Sequence, residues 1–79
     1  MRIKQPRLIV SFHTTTAAMA MECWCLEHNV PGRLIPIPRE ITAGCGMAWS
    51  APPDAEDIVT CAAQEGSIEI AGIYHLSIV

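Results

Sequence analysis

The chain has 79 residues, which is one domain and not two, and a domain of this size buries only about 60% of its unfolded surface. Hydrophobic residues make up 51% and charged residues 16%, which excludes the composition of a disordered segment. Five Lys and Arg against eight Asp and Glu leave a net charge of −3, so nucleic acid and an anionic membrane surface are not expected partners.

Near the start, the apolar run Leu8 to Val10 is broken by Ser11 and His13. A signal-peptide core needs roughly 7–15 apolar residues and a spanning helix about 20, so neither is expected. The chain reads as cytoplasmic, where Cys23, Cys25, Cys45 and Cys61 stay free thiols. The low charge also implies that one surface is covered by a partner or by a second copy, so a homodimer is one expected outcome.

Leu8-Ile9-Val10-Ser11-Phe12 is short, apolar and β-branched, as a buried strand is. Any of Thr14, Thr15 and Thr16 can cap a helix whose body is Ala17 to Glu27. Helical spacing puts Ala18, Met21 and Cys25 on its inner face, and Asn29 stops it. After Val30-Pro31-Gly32 turns the chain, Arg33 to Pro36 reads as a second strand, short because proline withdraws a backbone donor. From Ile37 to Gly46 neither period holds, and a long loop is expected. Met47 to Ser50 reads as a third strand.

Pro52-Pro53-Asp54 opens a second helix, with Asp54 as cap or first-turn acid. Its expected apolar stripe is Ile58, Cys61 and Ala62, and Gly66 ends it. Ser67 to Ala71 alternates as a strand, with a bulge at Gly72 before Ile73-Tyr74. The order β-α-β-β-α-β predicts a single α+β domain over residues 1–79. Its arrangement is a ferredoxin-like two-layer sandwich with two helices on one face of a four-stranded antiparallel sheet.

Cys45 stands between Gly44 and Gly46 in the irregular loop. A thiol acts as a nucleophile only as its thiolate, which needs exposure and a stabilised charge. Flanking glycines can turn backbone N–H groups toward an anion and leave room for a reacting partner. Arg39, six residues earlier, can add positive charge. The group Cys23-Trp24-Cys25 with His28 invites a metal reading, but residues two apart on a helix diverge by about 200°. Cys25 falls on the apolar stripe of the first helix and Cys61 on that of the second, so both are read as core, and no metal or cofactor is expected. A Cys-His-Asp hydrolase finds no local signature, and no phosphate-binding glycine loop is present in the sequence.

Leu34-Ile35-Pro36-Ile37-Pro38-Arg39-Glu40-Ile41, followed by Gly44-Cys45-Gly46-Met47-Ala48, resembles the centre of the small bacterial selenium/sulfur carrier-like proteins. The likeness extends to Phe12 and the Thr-rich helix start, to Pro52-Pro53, and to Ile70 through Tyr74. The chain departs from the family pattern in its two thiols and Trp24 on the first helix. It departs again at Asn29, where glycine is frequent, and at Trp49, where arginine is frequent.

The resemblance implies a carrier, and not a multiple-turnover enzyme. Cys45 would take sulfur or selenium as a persulfide or selenosulfide from a cysteine desulfurase-like donor and pass it to an acceptor protein. Arg39, Gly44 and Gly46 would hold the thiolate. The competing expectations are a non-catalytic interaction or dimerisation module using Trp24, Trp49 and Tyr74, and a metal-binding regulator using Cys25, His28 and Cys45.

Overall fold

The expected first strand forms as β1 (Gln5–Ser11), and it is the strand on which the rest of the sheet is built. The structure is a computed structural model that describes residues 5–41 and 45–78. After β1 come α1 (Thr15–Glu27), β2 (Arg33–Pro36), β3 (Met47–Ala51), a 3-10 turn (Pro53–Ala55), α2 (Glu56–Glu65) and β4 (Gly72–Ile78). The sheet order is β2-β3-β1-β4 and each neighbouring pair is antiparallel. This is the α+β two-layer sandwich that the element order predicts.

Local chemistry fixes the ends of α1. Thr14 is extended, and its hydroxyl accepts from the Ala17 N–H at 3.1 Å, satisfying one of the free donors of the first turn. At the other end Asn29 takes a left-handed φ of 56° and the Val30 N–H donates to the Cys25 carbonyl at 2.9 Å. That 6→1 bond closes the helix and brings Val30 against Cys25 in the core. Ala18, Met21 and Cys25 are the buried face, as spacing predicts.

The second helix is out of phase with the expected stripe. Val59, Ala62 and Ala63 are buried, whereas Ile58 is 46% exposed and Cys61 is exposed. Apolar residues stand side by side at 58–59 and 61–63, so periodicity alone fits either phase. The structure chooses the one that lays two alanines inward, where small side chains allow close packing. Asp54 sits in the 3-10 turn and Glu56 and Asp57 supply the first-turn acids of α2.

Gly66 does end α2, but the left-handed residue is Ser67, with φ 54°. The expected strand at Ser67–Ala71 does not form. The Ser67 and Ile68 N–H groups turn back onto the Gln64 and Ala63 carbonyls, at 3.2 and 2.8 Å, in the closing pattern of a helix end. Ile68 and Ile70 then pack on the core as a cover, which reproduces the period of a strand without its pairing. The sheet resumes where the Ala71 N–H donates to the Ser11 carbonyl at 2.7 Å, and β4 begins at Gly72 without a bulge.

The sheet is covered on both faces. On the helix face Leu8, Val10, Phe12 and Trp49 pack with both helices. On the back face Ile9, Ala48 and Ile41 form a second cluster with Ile35, Ile37 and Leu76 around it. Ile37 and Ile41 come from the β2–β3 connection, so that loop is the cover of the back face. Polar back-face groups pair among themselves: the Arg7 Nε–H donates to Ser50 Oγ at 3.1 Å, across the β1–β3 pair.

Trp49 is fully buried, and its Nε1 has no partner among the described residues. It lies against the turn before β2, where Gly32 has φ 128°. A Cβ at Gly32 would stand 2.5 Å from Trp49 Nε1 and 2.6 Å from the Ser50 carbonyl oxygen. Gly32→Ala therefore combines backbone strain with a collision against a fixed backbone atom, and is expected to cost about 2–3 kcal/mol. Urea unfolding checks this, and a loss below about 0.5 kcal/mol would contradict the packing described.

Candidate functional site

The four thiols occupy four different environments. Cys25 is buried on the inner face of α1, and burial pushes its pKa from 9.0 up to about 11. Its place is the core one expected. Cys23 is exposed on the same helix, its Sγ 3.7 Å from a Glu27 carboxylate oxygen. Cys61, expected in the core, is exposed on α2, a consequence of the helix phase described above. Cys45 is half-buried and is the one described thiol outside the helices.

The position of Cys45 follows from the strand pair on either side of it. Pro36 is opposite Met47, and the Ile37 N–H donates to the Gly46 carbonyl at 2.9 Å, adding a rung beyond the sheet. This closes the mouth of the β2–β3 connection. On the far side of that loop the Ile41 N–H donates to the Pro38 carbonyl at 3.1 Å, forming a turn that presses Ile41 onto the back face. Cys45 instead packs against the helix-face cluster. Loop residues on both sides of position 43 are thus anchored to opposite faces of one sheet.

The sulfur of Cys45 sits between two backbone groups of Met47. The Met47 N–H lies 3.4 Å from Sγ and the Met47 carbonyl oxygen 3.3 Å from it. The amide can hold a thiolate, and the carbonyl can accept from the neutral S–H. Gly46 has φ 77°, the left-handed region that favours glycine, and a Cβ built there would meet nothing within 4 Å among the described residues.

Arg39 is exposed in the turn before Ile41, and no ion pair or hydrogen bond joins it to Cys45 among the described residues. Gly44 lies outside the described residues. The group that sequence reasoning did not find is the Met47 backbone, because a main-chain donor leaves no residue-type signal.

Elsewhere, Trp24 is half-buried and stacks on His28 with ring centroids 3.7 Å apart. A shallow hollow lies on each side of it, one bordered by Cys23 and one by Cys61. His28 faces this groove while Cys25 faces the core, so the two do not share a side as a ligand pair requires. Among the described residues no three His, Cys, Asp or Glu side chains gather as a metal set. Trp49 is core, so the expected docking face of Trp24, Trp49 and Tyr74 is not assembled. No described helix is long and apolar enough to cross a membrane.

Fold and site together define a small α+β domain that presents one loop thiol at the end of its sheet. Residues 7–75 match the family model described as "Putative Se/S carrier protein-like", which spans most of the chain, and the chain belongs to that family. No curated protein and no solved structure matches it.

The Cys25 shift sets a pH dependence. Its thiol stays protonated in the fold while the unfolded chain ionises, so the stability it contributes is complete below about pH 9 and is lost as pH rises toward about 11. Urea titrations across that window are expected to show the fall, and the Cys25→Ala variant is expected to lose that part of the slope. An equal slope in both proteins would place the cause elsewhere.

Proposed function

We propose that the protein is a sulfur or selenium carrier and that Cys45 is the carrying thiol. The observation that supports this most is the setting of its sulfur, between a backbone donor and acceptor of Met47. Membership of the carrier-like family supports the same reading.

In the proposed step, the Cys45 thiolate attacks the terminal sulfur of a persulfide on a cysteine desulfurase-like donor. The Cys45 sulfur–sulfur bond forms as the donor's own sulfur–sulfur bond breaks, and the donor cysteine leaves as a thiolate. No external oxidant enters. A nucleophile on an acceptor protein then attacks the outer sulfur, and Cys45 is released as the thiolate that the Met47 N–H stabilises. Selenium follows the same electron path with a terminal selenol. Both partners would meet the protein in the cytoplasm. Arg39, exposed in the same loop, supplies positive charge for the anionic intermediates.

Loading the reduced protein from a desulfurase and radiolabelled cysteine, then re-isolating it, tests this. The parent chain is expected to retain label that glutathione releases. Cys45→Ser is expected to fold normally and retain less than about one hundredth of that amount. Equal retention by the folded variant would remove Cys45 from the role.

A further inference from the structure

The two edges of the sheet are unlike. β2 has four residues, opens on Arg33 and closes on Pro36. Short length, a charge and a proline are the usual guards of a free edge. β4 runs seven residues, Gly72-Ile73-Tyr74-His75-Leu76-Ser77-Ile78, and contains no proline and no lysine or arginine. Its register with β1 is unbroken from Ser11–Gly72 to Gln5–Ile78, so no bulge twists it away. On its other side, no backbone hydrogen bond reaches it among the described residues.

We propose that β4 pairs antiparallel with β4 of a second copy, joining two four-stranded sheets into one of eight. An antiparallel edge is complementary to itself about a two-fold axis, and no permanent charge on this one repels its copy. An axis at His75 pairs every residue of the strand. It sets Tyr74 opposite Leu76 of the second copy, twice, on the back face, where Tyr74 is 38% exposed.

On the helix face His75 lies 2.8 Å from a Glu56 carboxylate oxygen. Each of the two imidazoles that meet at the axis therefore has a carboxylate of its own chain within hydrogen-bond distance. The edge alone covers less than the roughly 1,200 Å² of a standard interface, so the association is reversible and depends on concentration. This inference stands apart from the chemistry proposed for Cys45.

Sedimentation of the full chain from about 5 μM to about 1 mM tests it. The mass is expected to rise from that of the 8.6 kDa chain toward twice that value. His75→Glu sets a carboxylate beside Glu56 and opposite its copy at the axis and is expected to weaken association about fivefold, with an unchanged circular dichroism spectrum. Leu26→Lys, at a residue 73% exposed on α1, is expected to leave association as it was. Hydrogen exchange on the parent protein gives a second readout, since β4 amide protection should rise with concentration. A monomer throughout the range, β4 exchange independent of concentration, or association lost in Leu26→Lys and kept in His75→Glu would each overturn the proposal.

Discussion

Burial of the central strands on both faces is the constraint from which the rest of this small domain follows. Helices supply one cover, through Ala18, Met21, Cys25, Val59, Ala62 and Ala63 packed over Leu8, Val10 and Trp49. Among the described residues no second helical layer covers the other, and the β2–β3 loop takes that place by setting Ile37 and Ile41 over Ile9 and Ala48. A thin core cannot spare apolar area, so a loop that would otherwise be a surface connection becomes a structural element.

That constraint also positions the thiol. Ile41 holds the loop to the back face, and Cys45 returns it to the helix-face core two residues before β3. Its sulfur meets the Met47 backbone because β3 begins there. Each of the other thiols lacks part of this setting: Cys25 is buried and its pKa is raised, and Cys23 and Cys61 stand on open helix surfaces. One sheet end thus separates a loop thiol with backbone partners from three thiols on helices.

Much of the fold was legible because local signals and global packing agreed. Thr14, Asn29 and the Ala18-Met21-Cys25 spacing each point to the same helix, and the loss of either period at Ile37–Gly46 marks the loop. Sequence and structure part where a pattern has two physical causes. Adjacent apolar residues at 58–59 and 61–63 fit two helix phases, and only packing on the sheet selects one. Ile68 and Ile70 alternate because both face the core from a coil. The back-face role of Ile41 was hidden because an isoleucine in a loop does not reveal which side of the sheet it covers. Trp49 proved to be core because Gly32 gives it room, a contact seventeen positions apart in sequence. Cys45 itself was visible through its glycines, and its Met47 partners were not.

The central claim concerns which sulfur carries the cargo, and peptide mass spectrometry answers it most directly. The reduced protein would be incubated with an active cysteine desulfurase and free cysteine, then digested and mapped without reductant. One extra sulfur on the Cys45 peptide, with none on the Cys61 peptide, is the predicted result. An unmodified Cys45 beside a donor shown to be active would contradict the account.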